Sequence, residues 1–240
     1  MEFSDLEFKK KTPSFFPGTR LSSINLYDIF KVFGNVDGFD YESTEGDRVI
    51  VRGGFTEGAL KNTTIYLGGG GNELVFDGLT KVSKLEVAAV KNSKVFIQAP
   101  MLIRGMTIMS SQNSHVSMGK NCLISTDVLV YSSNAHALYN VADGKRRLKE
   151  GVEIGERVWV GMGARLMSGA RVGKNSVIGG YSILAGKIPN NCAAAGNPCR
   201  VTTRDVFWTS VGHQDRRDYL SRTGKNKFPI FAVPTEEDLP

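Results

Sequence analysis

The segment from Ser132 to Gly151 holds the residues best suited to proton-transfer chemistry. It contains His136, one of three histidines in the 240-residue chain, with Asn134 two residues earlier. An imidazole can take up or release a proton near neutral pH, because its free pKa is about 6.5. The basic residues that follow are Lys145, Arg146, Arg147 and Lys149. This segment is therefore the candidate site, and the elements on either side of it must hold it in position.

An aliphatic residue recurs at every sixth position after this segment. The residues are Ile154, Val160, Leu166, Val172, Ile178 and Leu184, and the same register runs backwards through Val128, Cys122 and Val116. This period fits neither a helix nor a simple strand alternation. It predicts a triangular coil in which each hexad supplies one short strand and one corner, so that three hexads complete a turn. Residues 132–151 interrupt the period, as a loop inserted into the coil would.

The predicted fold class is all-β: a parallel β-helix solenoid with an N-terminal cap and a short C-terminal helix and tail. Residues 62–200 form the coil, and its less regular first part is predicted to consist of degenerate turns. Residues 1–61 lack the period and predict a cap, which a solenoid end needs to cover its core. Residues 201–240 predict a helix from Arg204 to about Ser221, followed by an extended tail. An antiparallel β domain is the alternative, but loops of variable length rarely produce six matches at one spacing.

The composition indicates which binding partners and which cellular compartment are to be expected. The net charge of +6 suits an anionic partner such as cofactor phosphates, an acidic polysaccharide or a membrane surface. Scattered Lys and Arg residues without a nucleic-acid-binding motif argue against DNA or RNA. The absence of a long apolar run or a signal-like N-terminus predicts a cytoplasmic protein with no integral membrane segment. The three cysteines lack metal-type spacing, so neither a disulfide framework nor a zinc site is expected.

Four sequence features together resemble a known enzyme family. They are the histidine loop, the VWVG motif at Val158–Gly161, the chain of hexads and the AGNP turn at Ala195–Pro198. Over roughly residues 116–208 the chain resembles the hexapeptide-repeat acyltransferases, in particular the O-acetyltransferases that modify bacterial capsules and O-antigens. The resemblance implies a left-handed coil and transfer of an acetyl group from acetyl-CoA to a sugar hydroxyl, with no metal.

The resemblance implies that His136 is the general base. It would accept the proton of the sugar hydroxyl as that oxygen attacks the thioester carbonyl, with direct transfer in a ternary complex. The family usually carries Asp two residues before this histidine, where the chain has Asn134. An amide oxygen can accept the imidazole N–H but stabilises the imidazolium less than a charge does. A carboxylate from elsewhere, such as Asp127, Asp143 or one on a neighbouring chain, is the alternative.

The resemblance also assigns residues to the acyl donor. Trp159 would pack against the pantetheine arm, and a strand face with small residues would let the arm lie close to the backbone. The small residues are Gly161, Gly179, Gly180, Ala185 and Gly186. Arg200, assisted by Lys187, would bind the phosphates of coenzyme A. The local sequence AGKIP displaces this lysine by one position from the family pattern, and Tyr181 stands where Gly is common.

The acceptor is expected beside the same loop. The residues assigned to acceptor binding are Tyr131, Ser133, Tyr139, Arg146 and Arg147. The basic residues suggest an acidic glycan, although a solvated charge run would have the same composition. Family members are homotrimers, so the resemblance implies that His136 and Trp159 face each other across a subunit boundary.

Several other functions remain open from the residues alone. Acetylation of an amino-sugar nitrogen, or of a small molecule such as a xenobiotic or serine, is one alternative. The amine route would be favoured by a carboxylate able to position an ammonium, and none is evident. A catalytically inactive β-helix scaffold is a second alternative because of Asn134. A carbonic-anhydrase-like zinc site would need His115, His136 and His213 to converge, and they are too scattered. Cys122 occupies an inward hexad position, which argues against a covalent acyl-thiol intermediate.

Overall fold

In a computed structural model, residues 9–11, 21–133, 136–147 and 151–210 are described. A small cap precedes the coil. Its elements are β1 (Lys9–Lys11), β2 (Leu21–Asn25), α1 (Leu26–Phe33), β3 (Gly38–Glu42), β4 (Arg48–Arg52) and α2 (Glu57–Lys61). The Asn25 side chain accepts the Tyr27 N–H and so begins α1, whose Leu26 and Ile29 are buried. The helix thereby closes one end of the coil.

Six turns of coil follow, each with three sides. The first three contain β5 (Thr63–Gly68), β6 (Glu73–Asp77), β7 (Leu85–Val90), β8 (Lys94–Gln98), β9 (Leu102–Ile103), β10 (Met106–Ser111), β11 (His115–Met118) and β12 (Leu123–Ile124). In the first turn the third side is a single bridge, Val82 to Ile103.

The fourth turn carries the insertion. It contains β13 (Val128–Tyr131), then β14 (Leu138–Tyr139) and β15 (Arg146–Arg147) in the inserted loop, then β16 (Val152–Ile154) and β17 (Trp159–Val160). The last two turns contain β18 (Arg165–Leu166), β19 (Arg171–Val172), β20 (Val177–Ile178), β21 (Ile183–Leu184), β22 (Lys187–Ile188) and β23 (Ala193–Gly196), and β24 (Cys199–Thr203) pairs antiparallel with β23.

Strands of successive turns stack in parallel and build three faces. The first face runs from β5 through β7, β10, β13 and β18 to β21. The second runs from β4 through β6, β8, β11, β16 and β19 to β22, and the third from β9 through β12, β17 and β20 to β23. Parallel pairing on every face of the coil excludes the antiparallel alternative and confirms the predicted solenoid.

The predicted inward positions form the core. Val160, Leu166 and Ile178 are fully buried, and the other hexad aliphatics are nearly so. In the last turns, paired residues are 18 positions apart, for example Leu166 and Leu184. In the first turns the paired residues Ile65 and Val87 are 22 apart, because β5 and β7 are six residues long. These upstream turns are longer than three hexads, and their longer sides hide the hexad period in the sequence.

The C-terminal region differs from its prediction where it is described. Residues 204–210 are irregular, so no helix begins at Arg204; the rest of the predicted helix lies outside the described residues. The backbone N–H of Val206 bonds to Asn191 O at 2.9 Å, and Trp208 Nε1 donates to Arg157 O at 2.9 Å. These bonds hold the segment against the corner between the second and third faces, which is incompatible with a helix there.

Neither described helix approaches the length and apolarity needed to cross a bilayer.

Candidate active site

The inserted loop leaves the coil at the corner between the first and second faces. Both of its roots meet one buried hydroxyl: Ser114 Oγ donates to Ser132 O at 2.6 Å and accepts the Gly151 N–H at 3.0 Å. Gly151 N also lies 2.8 Å from Ser132 O. Ser114 therefore ties the start of the loop to its end, in a region without access to water.

Further buried serines extend this network. Ser132 Oγ donates to Ser110 Oγ at 3.0 Å, and the hydroxyls of Ser111 and Ser133 lie 2.6 Å apart. All four side chains are buried. Ser133, expected to bind the acceptor, is thus bonded inward within the chain, and the network gives the loop a fixed base.

His136 lies on the exposed part of the loop. It forms no hydrogen bond to any residue in the part of the chain that is described, so its imidazole is available to a ligand or a second chain. Asn134, its predicted partner, lies outside the described residues. Of the two alternative carboxylates, Asp127 pairs with Arg165 at 3.0 Å and Asp143 accepts the Lys145 N–H at 3.0 Å. Both carboxylates therefore have partners other than the imidazole.

The rest of the loop is a hairpin of β14 and β15 that stands out from the coil. Leu138, Tyr139 and Val141 are exposed large apolar side chains, and Arg146 is also exposed. The side chain of Arg147 lies outside the description, and Tyr131, at the end of β13, is half-buried. A hairpin with an apolar surface of this kind is suited to contact another molecule.

Trp159 projects outward from the third face, with 38% of its surface exposed. It stacks in register between Leu123 of the turn before and Val177 of the turn after. Its indole Nε1 lies 3.5 Å from Ser125 Oγ, and the centroid of its ring is 6.2 Å from that of Trp208. The indole is therefore held in place while one side remains open.

Three of the predicted glycines line the corner between the third and first faces. A Cβ on Gly161 would lie 2.5 Å from Gly180 N, and a Cβ on Gly179 would lie 2.9 Å from the Ala195 Cβ. Only glycine permits this close stacking of backbones. The result is a thin, flat edge beside Trp159, next to the exposed side chains of Met162 and Tyr181.

The other residues assigned to the acyl donor lie elsewhere on the coil. Ala185 and Gly186 occupy the corner between the first and second faces, on the same edge as the root of the His136 loop, and Lys187 begins β22 on the second face. Arg200 is exposed on β24, and its Nη1 donates to Cys199 O at 2.9 Å. Within one chain, Trp159 lies beside the glycine corner. The whole first face separates both of them from the corner that carries the His136 loop.

Sequence reasoning missed a groove on the third face. It has a volume of about 380 Å³ and extends from Trp159 towards the first turns. Its floor includes Leu102 and Leu123, and its rim includes the exposed cations Lys81 and Arg104. Lys81, Leu102, Leu123 and Trp159 are 21 or more positions apart in the sequence, so their proximity depends on the stacking of turns.

The other potentially reactive side chains are those of the three cysteines and of the remaining two histidines. Burial raises the pKa of the Cys122 thiol to about 12, and burial also raises the pKa values of Cys192 and Cys199. His115 Nε2 lies 3.2 Å from Glu153 Oε1 on the second face. His213 lies outside the described residues. Among the residues that are described, no cluster of potential metal ligands occurs.

Comparisons with known proteins match this architecture. The family model for bacterial transferase hexapeptide (six repeats) matches residues 151–186. The polysialic acid O-acetyltransferase of Escherichia coli O1:K1 / APEC is 28% identical over 139 residues, which are 58% of this chain and 44% of that protein. The chain thus spans less than half the length of this curated relative.

Two solved structures share the fold. The polySia-specific acetyltransferase NeuO superposes with a TM-score of 0.57 at 28% identity, covering 68% of this chain and 78% of that one. The polysialic acid O-acetyltransferase OatWY superposes with a TM-score of 0.61 at 21% identity, covering 72% of this chain and 83% of that one. At that identity the second likeness concerns the fold alone.

The chain is thus similar in sequence and in fold to hexapeptide-repeat acetyltransferases, and its residues 151–186 match the hexapeptide family model.

Proposed function

We propose that this protein transfers an acetyl group from acetyl-CoA to a hydroxyl of an acidic bacterial surface glycan, in a site shared between subunits of a homotrimer. One observation carries the proposal. The corner that carries the His136 loop, called the histidine edge, and the corner beside Trp159, called the tryptophan edge, lie at opposite ends of the first face. A second copy that places its loop against the Trp159 corner joins the two halves. The names of the relatives, which act on polysialic acid, support an acidic acceptor.

His136 acts as the general base in this proposal. Its neutral imidazole accepts the proton of the sugar hydroxyl while the oxygen attacks the thioester carbonyl. The attack gives a tetrahedral oxyanion, which then collapses with cleavage of the carbon–sulfur bond. The imidazolium returns its proton to the departing thiolate. The products are the acetylated sugar and free coenzyme A, and the histidine ends in its starting state.

The acyl donor lies along the glycine corner. A thin pantetheine arm fits over Gly161, Gly179 and Gly180, where the absence of side chains lets it approach the backbone. Trp159 packs against its acetyl end. Arg200 of the same chain binds the phosphates together with Lys187 of the neighbouring copy, whose Ala185 and Gly186 flank the edge that carries its His136 loop.

Exposed apolar residues support the proposed assembly. Leu138, Tyr139 and Val141 on the hairpin, and Met162 and Tyr181 on the glycine corner, are among the exposed large apolar side chains. Two different patches on one chain make a head-to-tail contact, which closes into a ring when the rotation per copy is one third of a circle. Trimerisation would bury both patches and complete the site.

Acetyl transfer is tested by following thiol release from acetyl-CoA in the presence of polysialic acid. The wild-type protein should release thiol only when the glycan is present, and His136→Ala should lower the rate by at least about 100-fold. Binding of coenzyme A to the variant, measured by calorimetry, checks that it remains folded. Undiminished release by His136→Ala would remove the proposed base, and no release by the wild type with any acidic glycan would remove the proposed activity.

A further inference from the structure

The groove on the third face continues beyond the site described so far. Leu102 and Leu123 are in register with Trp159 on successive turns, and Lys81 precedes the bridge residue of the first turn. Because parallel strands stack about 4.8 Å apart, this row runs for roughly 14 Å along the coil. That length accommodates a short stretch of an extended polymer.

The charges in this groove are uncompensated. Lys81 and Arg104 are exposed, and neither forms an ion pair with any acidic residue in the described ranges. Cations on neighbouring faces of the same turns are paired: Lys84 lies 3.1 Å from Glu86, and Lys94 lies 3.4 Å from Glu73. The groove therefore presents net positive charge without a carboxylate of its own.

The floor between these charges is apolar. Leu102 and Leu123 are half-buried and line the groove together with Trp159, whereas Ser125 supplies a hydroxyl. A sugar ring presents an apolar C–H face and a polar edge, so it can stack on such a floor while its carboxylate meets a cation at the rim. A neutral glycan would leave both cations without partners, and a phosphate would make no use of the apolar floor.

We propose that this groove binds the acceptor, as a carboxylated glycan whose acidic groups face Lys81 and Arg104. The inference rests on the proposed acetyl transfer and adds the acceptor's path to it. The donor lies over the glycine corner of the last turns, the acceptor over the first three turns, and Trp159 separates the two. The hydroxyl to be acetylated then reaches the acetyl group at the indole, where the neighbouring copy places its histidine.

Direct binding measurements test the proposal without turnover. Polysialic acid, neutral dextran and polyglutamate are titrated into the full-length protein without acetyl-CoA. The variants are Lys81→Gln/Arg104→Gln and a matched control, Arg52→Gln/Lys91→Gln, which removes the same charge from exposed residues away from the third face. The first pair should weaken polysialic acid binding by about 5- to 30-fold, and added salt should reduce the difference. The control pair should bind as the wild type does, and dextran should not bind.

Four results would overturn the inference: unchanged affinity in the groove variant, an equal loss in the control, polyglutamate binding as tight as that of polysialic acid, or no binding of polysialic acid to the wild type. A loss of coenzyme A affinity in the groove variant would also do so, because it would assign the two cations to the donor's phosphates. The proposed catalysis fails separately, if the wild-type protein binds the glycan in this groove but transfers no acetyl group to it.

Discussion

At the scale of single residues, burial decides which nucleophile is usable. The exposed imidazole of His136 can exchange protons with a substrate, whereas the Cys122 thiol is enclosed in the coil, where its pKa rises to about 12. A thiol with that pKa stays protonated at neutral and mildly alkaline pH, and only the thiolate attacks. We expect Cys122 to resist iodoacetamide at pH 8 in the native protein and to react once the protein is unfolded, as measured by peptide mass spectrometry.

The same shift has a consequence for stability. The folded state holds the Cys122 proton more tightly than the unfolded state, whose thiol titrates near 9.0. The resulting contribution to the free energy of unfolding is complete below pH 9 and is lost as the pH rises towards 12. Replacement by Ala should therefore destabilise the fold at pH 7, and the difference from wild type should shrink above pH 9. Rapid native labelling of Cys122 with loss of acetyl transfer would instead point to a catalytic thiol.

At the scale of elements, the inserted loop depends on the corner beneath it. The side chain of Ser114 bonds to both roots of the loop. Ser114→Ala should lower the free energy of unfolding by about 1–2 kcal/mol, because a buried carbonyl and N–H lose a partner. It should also reduce kcat by about ten-fold with little change in KM for acetyl-CoA, since the base is displaced while the donor site is not.

Ser93→Ala is the matched control for this prediction. Ser93 occupies the same corner one turn earlier, and its buried hydroxyl donates to Val90 O at 2.8 Å without touching the loop. It should show a similar loss of stability in urea denaturation and unchanged kcat. If both variants lose activity equally, the effect belongs to the fold and not to the position of His136.

At the scale of the whole molecule, the separation of the two half-sites, which are the histidine edge and the tryptophan edge, predicts complementation between inactive variants. His136→Ala and Trp159→Ala should each be inactive alone. After subunit exchange in an equal mixture, about one site in four should combine an intact histidine edge with an intact tryptophan edge, so activity should return to roughly a quarter of wild type. Thiol release before and after mixing measures this recovery.

Mass measurement of the mixed assemblies provides the control, since it shows whether subunits have exchanged. Exchange without recovery would place both residues in a site within one chain and would contradict the shared site. A fully active monomer on dilution would contradict it as well.

The sequence by itself determined the coil and its inward residues, because each hexad is a local unit whose period is visible in the C-terminal turns. It also located the loop of His136, as an interruption of that period, and the outward Trp159. The longer upstream turns, the irregular segment at 204–210 and the buried serines under the loop were decided by tertiary structure. So were the groove at Lys81 and Arg104 and the distance between the two half-sites. These features depend on which residues stack from turn to turn, and a short-range period does not specify register when the sides of the turns differ in length.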